Sequence, residues 1–353
     1  MSQLDRAGRE SRQVRIGVVA DTPLQRHLLK VAVEAIGLEI AYNLAPSRFN
    51  DSLGKGYGAD TPVDLLIVDV ESEDLCEEFV EQVLEQMDCP ILFGLGAAPE
   101  KHSAEYPRWE RRLHTKLRDF LGNIDKLEDI GESVCELEAQ LDSQRPVRLS
   151  SSLPAQTPTQ VKVEEIWILA ASLGGPEAVK LFLDSLPEGL PVAFIYAQHI
   201  DANFSAVLAK VLARHSVFAL KIAEAGDQPR YGEVLLVPVD KEMVFDERGR
   251  ISFKSTPWPG PYGPSIDQVL LNVAEHYGNR CNAIFFSGMG NDGAIAAPML
   301  NAYGSSIWVQ EASSCANSSM ACSVADTGCA EFTGTPKQLA AHLIHRFEKS
   351  SGL

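Results

Sequence analysis

Apolar and polar positions alternate along the chain in a way that predicts two α/β regions. In residues 14–104, apolar runs such as VRIGVVAD and VDLLIVDV alternate with stretches in which apolar residues recur at helical spacing. Residues 161–348 repeat this alternation, beginning with EEIWILAAS and PEAVKLFLDSLP. Strands that alternate with helices predict parallel sheets with helices on their faces, so we expect two α/β domains, the second of them doubly wound.

The pattern changes between these regions and again within the second one. From Trp109 to Leu141 apolar residues recur at three- and four-residue steps, which predicts a helical connector over 105–142. We expect this helix to pack on the first domain, with self-association as the alternative. Residues 143–160 are rich in Ser, Pro and Gln and predict a flexible linker. Residues 231–253 have the turn residues and alternation of antiparallel hairpins.

Composition narrows the functional classes. The 353 residues are 45% hydrophobic, which is enough for two cores, and no apolar run is long enough to insert into a membrane. The N-terminus lacks the apolar core of a signal peptide, so we expect a cytoplasmic protein. Seven cysteines without a C-x-x-C pair favour reduced thiols over disulfides or zinc. A net charge of -17 argues against a nucleic-acid partner.

Three predicted strands of the second domain end in polar residues of catalytic type. Ser172 follows ILAA, His199 follows FIYAQ, and Asp292 lies in SGMGNDGA after AIFF. Since the carboxyl ends of parallel strands meet at one edge, these residues can form a serine nucleophile, its base and the acceptor that orients the base. The structural alternative is a helix-capping serine, a histidine bonded to backbone and an aspartate that holds a turn.

Four segments carry a family resemblance: ASLGGPEAV, YAQHI, PSIDQVLLNVAEHYG and SGMGNDGA, in this order and spacing. Together they resemble the catalytic domain of the CheB-type chemotaxis methylesterases over about residues 163–348. The resemblance implies that Ser172 is the nucleophile, His199 the base and Asp292 the third triad member. It also implies an active-site loop at Gly174 and Gly175, and an oxyanion hole that uses the backbone amide of Met289.

The activity implied by this resemblance is hydrolysis of glutamate methyl esters on the cytoplasmic helices of methyl-accepting chemoreceptors, with deamidation of glutamines by the same route. The resemblance also implies that catalysis needs no cofactor, and that a chemotaxis histidine kinase is a further candidate partner. Two departures bear on activity: Leu173 stands where the family has threonine, and SSMACS (318–323) where it has a Gly-Met-Pro turn. A receptor-docking regulator with weak catalysis, and a serine esterase for small esters, remain as alternatives.

The family also places a receiver domain before the esterase domain, and residues 14–104 fit a degenerate, flavodoxin-like version of it. Asp69 falls on the phospho-acceptor position. Of the two adjacent acidic residues that hold Mg²⁺ in receivers, only Asp21 is present, since Ala20 precedes it. The expected Ser or Thr and the Lys-Pro pair are missing. We therefore expect weak Mg²⁺ binding at most at Asp21 and Asp69, and little or no phosphorylation of Asp69.

Overall fold

The computed structural model describes residues 14–53, 62–70, 73–87, 89–94, 99, 103, 106–134, 165–260 and 262–350. The predicted linker at 143–160 lies outside these residues. By its internal contacts the chain divides into two compact units, one formed by residues 1–72 and 88–114 and the other by residues 73–87 and 115–353. Each unit combines two separate stretches of the chain. The division therefore does not test the predicted domain ranges, which remain a prediction.

The first α/β region contains a parallel four-stranded sheet in the order β2-β1-β3-β4. This order matches the first four strands of the flavodoxin-like arrangement, in which binding sites lie at the carboxyl ends of the strands. Its elements are β1 Arg15–Ala20, α1 Pro23–Glu34, β2 Glu39–Leu44, α2 Pro46–Leu53, β3 Leu65–Asp69, α3 Glu73–Gln86 and β4 Ile91–Phe93. Strand β3 is buried along its whole length, as parallel strands covered on both faces are.

Helix α4 (Tyr106–Val134) occupies most of the predicted connector. Its apolar stripe is buried at Trp109 and Leu113, and a ring nitrogen of His114 lies 2.9 Å from the carbonyl oxygen of Ala32 in α1. Both ends of this hydrogen bond belong to the first unit. The contact is the one expected of a helix that packs on the first domain.

The second α/β region is built on a seven-stranded sheet in the order β13-β12-β11-β5-β6-β8-β7, and every described pair of its strands is parallel. Its elements are β5 Ile166–Ala171, α5 Gly175–Asp184, β6 Ala193–Gln198, α6 Ala202–His215, β7 Ala219–Ile222, β8 Glu233–Leu236, β9 Met243–Phe245, β10 Ile251–Phe253, α7 Ile266–Tyr277, β11 Cys281–Phe285, α8 Ala296–Ala302, β12 Ile307–Gln310, α9 Ser319–Ala325, β13 Phe332–Gly334 and α10 Pro336–Ser350.

The three central strands β11, β5 and β6 are buried at every position, and aromatic side chains pack against one face of them. Trp167 and Trp308 pack with ring centroids 4.2 Å apart, and Phe182 meets Phe286 edge to face. Burial of a large aromatic side chain contributes a few kcal/mol, on the order of 3. This core fixes the strand ends that carry the polar residues.

The antiparallel prediction for residues 231–253 is right for one part and wrong for the other. Strands β9 and β10 form an antiparallel hairpin, with Ile251 opposite Phe245. Strand β8 instead joins the main sheet in parallel with both β6 and β7. The reason is burial: Val234, Leu235 and Leu236 form an apolar run that needs cover on both faces, which a two-stranded hairpin cannot provide.

In the part of the chain that the structure describes, none of the helices combines the length and the apolar character that a membrane span requires.

Candidate active site

Ser172 and His199 lie side by side because β5 and β6 are neighbours in register. Ala171 pairs with Gln198 at the ends of the two strands, and the N–H of His199 donates to the carbonyl oxygen of Ala171 at 3.0 Å. Ser172 and His199 are each the next residue after these paired positions. The parallel sheet therefore brings together two residues that are 27 positions apart in the sequence (199 − 172).

The two glycines after Ser172 let the turn into α5 pack closely against its surroundings. Gly174 precedes the first residue of α5 and has φ +72°, a left-handed conformation that favours glycine. A Cβ at Gly174 would collide with the side chain of Ala316, and one at Gly175 would lie 2.5 Å from Oε1 of Gln198. Side chains at these two positions would therefore collide with their neighbours, so the close packing of the turn requires glycine.

Asp292 meets His199 although it lies seven residues beyond the end of β11. Its Oδ2 atom is 3.0 Å from Nε2 of His199, and both side chains are less than a tenth exposed. Strand β11 is the other neighbour of β5, so the three residues come from adjacent strands. The structure thus places Ser172, His199 and Asp292 at one edge of the sheet, with His199 and Asp292 in direct contact.

Asp292 also caps helix α7, and this fixes its orientation. The carboxylate accepts the backbone N–H of Ile266 at 2.8 Å and that of Asp267 at 2.9 Å, in addition to the His199 ring. Burial is the largest influence and acts to raise the pKa of Asp292. The hydrogen bond and charge of His199, with the two backbone amides, outweigh it and hold that pKa below the usual value. Asp292 is therefore an ionised acceptor at neutral pH.

The contact with Asp292 assigns the two ring nitrogens of His199. A carboxylate only accepts, so Nε2 carries the proton and Nδ1 is the nitrogen with a free lone pair. The hydrogen bonds of the described residues do not include one between Ser172 Oγ and the His199 ring. Such bonds are often long before substrate binds, so the arrangement is compatible with Nδ1 as the proton acceptor for Ser172.

The loop around Met289 is braced on both sides. The N–H of Gly288 donates to the carbonyl oxygen of Asn317 at 2.9 Å, and the N–H of Gly290 donates to Oγ of Ser319 at 3.0 Å. The N–H of Met320 donates in turn to the carbonyl oxygen of Gly288 at 2.9 Å. Among the described hydrogen bonds none uses the N–H of Met289 itself. The two flanking amides are thus occupied, while the one predicted for an oxyanion hole is available.

Ser319 belongs to the SSMACS segment, where the sequence departs from the family's Gly-Met-Pro turn. Its hydroxyl accepts from Gly290 and also lies 2.7 Å from Oδ1 of Asn317 and 3.3 Å from the carbonyl oxygen of Gly288. The departure therefore supplies a side-chain hydroxyl that holds the Met289 loop. The role of Ser319 has no local signal in the sequence, because its partner Gly290 lies 29 positions away along the chain.

Leu173, the second departure, points into the protein rather than adding an exposed apolar group. Its side chain is 4% exposed, and its carbonyl oxygen accepts the hydroxyl of Ser287 at 2.7 Å. The triad contacts do not involve it. The presence of Leu173 is therefore no evidence that this protein has lost a catalytic group.

Gln198 and Tyr262 are two further residues that the sequence analysis did not single out. The buried amide of Gln198 donates to the carbonyl oxygens of Ser172 at 2.7 Å and His199 at 3.1 Å, and accepts the hydroxyl of Tyr196 at 2.6 Å. It therefore joins the two strand ends. The sequence signal for Gln198 is its place directly before His199 in YAQHI. Tyr262 has no such signal, because it lies in a Pro- and Gly-rich loop without a periodic pattern.

Glu177, in the first turn of α5, is a buried carboxyl beside this network. The residue as a whole is partly exposed, but both carboxyl oxygens are buried and make no hydrogen bond to another residue. Burial raises the pKa of Glu177 to about 7. Burial is also the main cause that raises the pKa of Tyr196, and the charge of Glu177 adds to it. Glu177 thus titrates near neutral pH.

We expect Glu177 to make stability depend on pH. Because its folded-state pKa lies above that of the unfolded chain, its stabilising contribution is complete at low pH and is lost as the pH rises through about 7. Relative to Glu177→Gln, the free energy of unfolding of the unaltered chain should fall by about 2 to 3 kcal/mol between about pH 5 and about pH 8. Urea denaturation followed by tryptophan fluorescence measures this, with Glu188→Gln, an exposed carboxyl, as the control. Parallel pH profiles for the unaltered chain and Glu177→Gln would contradict it.

The receiver-like site is built differently from a magnesium site. Asp69 ends β3 and is 5% exposed, and its Oδ2 accepts the side-chain amide of Gln25. Asp21 follows β1, whose last residue, Ala20, pairs with Asp69. The described residues contain no group of three or more His, Cys, Asp or Glu side chains that could hold a metal ion. An amide donor on the acceptor carboxylate and only two carboxylates do not fit the Mg²⁺ site of a receiver.

Comparisons with known proteins agree with the geometry of the second unit. A family model described as CheB methylesterase matches residues 167–343. Protein-glutamate methylesterase/protein-glutamine glutaminase 1 of Saccharophagus degradans is 32% identical over 228 residues, which are 62% of this chain and 62% of that protein. The match to this relative therefore covers less than two thirds of its length.

This chain is also similar to two further proteins. Protein-glutamate methylesterase/protein-glutamine glutaminase 2 of Burkholderia pseudomallei is 24% identical over 340 residues, covering 95% of this chain and 98% of that protein. The crystal structure of the CheB methylesterase catalytic domain of Thermotoga maritima is 26% identical and covers 51% of this chain and 97% of its own, with a TM-score of 0.49. The match of the family model spans half of the chain and includes Ser172, His199 and Asp292, so this chain belongs to the CheB methylesterase family.

Proposed function

We propose that this protein hydrolyses the γ-methyl esters of glutamate side chains on methyl-accepting chemoreceptors, and deamidates receptor glutamines by the same route. The observation that carries the proposal is the contact of His199 Nε2 with Asp292 Oδ2 at 3.0 Å, on a strand end that adjoins Ser172. Family membership and the names of the relatives support the same substrate class.

In the proposed mechanism, Nδ1 of His199 accepts the proton of the Ser172 hydroxyl as its Oγ attacks the ester carbonyl carbon. Asp292 stabilises the imidazolium that forms, because its ionised carboxylate accepts the Nε2 proton. The N–H of Met289 donates to the oxyanion of the tetrahedral intermediate. The intermediate collapses as the C–O bond to the methoxy group breaks, and the imidazolium gives its proton to the departing methanol.

The second half of the reaction uses the same groups. The glutamyl ester of Ser172 is attacked by water, whose proton passes to His199, and collapse of this intermediate returns the serine hydroxyl and a glutamate carboxylate. With a glutamine substrate the first leaving group is ammonia instead of methanol, and the product is again glutamate. Each turnover on an ester adds one negative charge to a receptor helix, which shifts the signalling equilibrium of the receptor.

The proposal places the protein in the cytoplasm, where it acts on the cytoplasmic helices of chemoreceptors, with a chemotaxis histidine kinase as a further partner. The net charge of -17 argues against a nucleic-acid partner. Release of labelled methanol from methylated receptor membranes tests the proposed activity against the alternatives. A small-ester hydrolase would prefer a chromogenic ester to the receptor, and a docking regulator would bind receptor without releasing methanol.

We propose that the receiver-like domain is not switched by phosphorylation of Asp69. The carboxylate already accepts the amide of Gln25, and the residues present do not fit Mg²⁺. We expect no mass increase after incubation with acetyl phosphate and Mg²⁺, and Asp69→Asn should leave esterase activity within about twofold, as for a substitution away from the reacting atoms. Intact-mass measurement and an esterase assay check both. Stoichiometric phosphorylation that is lost in Asp69→Asn and raises activity severalfold would contradict this account.

A further inference from the structure

Tyr262 lies over the face of the His199 imidazole. The two rings are nearly parallel, with centroids 4.7 Å apart and planes at 11°. Asp292 contacts the same imidazole at its edge, through Nε2. The ring of the base is therefore held by a carboxylate in its plane and by a phenol on its face.

The other end of Tyr262 reaches the loop that carries Met289. A Cβ at Gly290 would lie 3.1 Å from the Tyr262 hydroxyl oxygen, and Gly290 has φ +90°, which glycine adopts without strain. Tyr262 thus adjoins both the base and the residue that follows the available amide. Tyr262 therefore lies next to the base, His199, and next to the loop that carries the Met289 N–H.

Burial does not explain this placement. Tyr262 is 38% exposed, whereas the aromatic side chains of the core, such as Trp167 and Phe286, are fully buried. A tyrosine that remains this exposed contributes less to the core than a buried one. Its ring stacks on His199, which is a contact with the base rather than with the core.

We propose that Tyr262 is a positioning residue for the base, which fixes the plane of the His199 ring and stabilises its charged form during the attack of Ser172. This inference rests on the proposed serine mechanism. The ring face of tyrosine is electron-rich, so it attracts an imidazolium more strongly than a neutral imidazole. The contact therefore favours the transition state, in which His199 has taken the serine proton, over the resting state. A group that acts this way changes kcat and leaves KM nearly unchanged.

The test uses the full-length chain, a fluorophosphonate probe and methylated receptor membranes. The probe phosphonylates an activated serine without needing the natural substrate, and intact mass gives the rate of labelling. We expect Tyr262→Leu to lower both this rate and kcat for methanol release by about 3- to 30-fold, with KM within about twofold. Tyr262→Phe keeps the ring and should stay within about threefold of the unaltered chain. Tyr303→Leu, a substitution of a tyrosine that is 75% exposed on the C-terminal side of α8, is the matched control.

The outcomes separate the inference from the proposed function. Equal labelling rates for Tyr262→Leu and the unaltered chain, or a Phe variant as slow as the Leu variant, would overturn the role of the Tyr262 ring while leaving the serine mechanism in place. Failure of the probe to label Ser172 in the unaltered chain would overturn both. A thermal unfolding midpoint of Tyr262→Leu equal to that of Tyr303→Leu, together with the kcat loss, supports positioning over a structural role.

Discussion

Ser172→Ala should abolish methanol release while leaving the fold intact. Removal of a triad nucleophile leaves only the catalysis that binding and the oxyanion hole supply, and losses on the order of 10⁶-fold in kcat are known for other serine enzymes. Folding should not change, because the described hydrogen bonds of Ser172 use its backbone N–H and C=O groups, which alanine retains. Stability within about 0.5 kcal/mol is expected for such a substitution.

Three measurements check this result: labelled methanol release, fluorophosphonate labelling and thermal unfolding. Ser313→Ala is the matched control, since Ser313 is an exposed serine of the same unit. It should retain full activity and full labelling. Methanol release by Ser172→Ala at a rate near that of the unaltered chain would show that another group is the nucleophile.

Asp292→Asn should lower kcat by about 10⁴-fold, the size of loss seen when the orienting carboxylate of a triad becomes an amide. The physical reason is specific to this site. Oδ2 accepts from both His199 Nε2 and the N–H of Ile266, while Oδ1 accepts from the N–H of Asp267. The NH₂ group of an asparagine cannot accept, so one set of donors faces a donor. With the NH₂ group in place of Oδ2, the His199 ring must change tautomer and the N–H of Ile266 loses its acceptor. With the NH₂ group in place of Oδ1, the N–H of Asp267 loses its acceptor.

Asp267→Asn is the matched control for this variant. Its carboxylate caps α8 by accepting the N–H groups of Ile295 and Ala296, and it makes no described contact with His199. Because the amide oxygen of asparagine can still accept both N–H groups, we expect stability to stay within about 0.5 kcal/mol and activity within about tenfold. A loss of less than about tenfold in Asp292→Asn would make Asp292 a helix-capping residue only.

Much of the second unit was predictable because its strands are long apolar runs that end in polar residues. The apolar runs of β5 and β6 end directly before Ser172 and His199, so the sequence pattern was enough to place these two residues at strand ends. The pairing of Ser172 with His199 followed from the rule that parallel strands share a carboxyl edge. A local pattern was enough for these features.

Other features depend on contacts between distant segments, which no local pattern encodes. Strand β7 is four residues long and half exposed, so it has too few positions to show a period. The bond from Gly290 to Ser319 joins residues 29 positions apart, and the Tyr262 ring meets His199 from a loop. The choice of Nε2 over Nδ1 for the Asp292 contact depends on where the α7 terminus places that carboxylate.

The most direct test of the central claim is release of labelled methanol from receptor membranes that carry methylated glutamates, measured side by side with hydrolysis of a chromogenic ester. We expect the unaltered chain to release methanol from the receptor with a higher kcat/KM than it shows for the small ester, and Ser172→Ala to release none above the uncatalysed background. The same membranes should gain one carboxylate per methanol released, measured by intact mass of receptor peptides. Hydrolysis of the chromogenic ester without methanol release from the receptor, or methanol release unaffected by Ser172→Ala, would contradict the account.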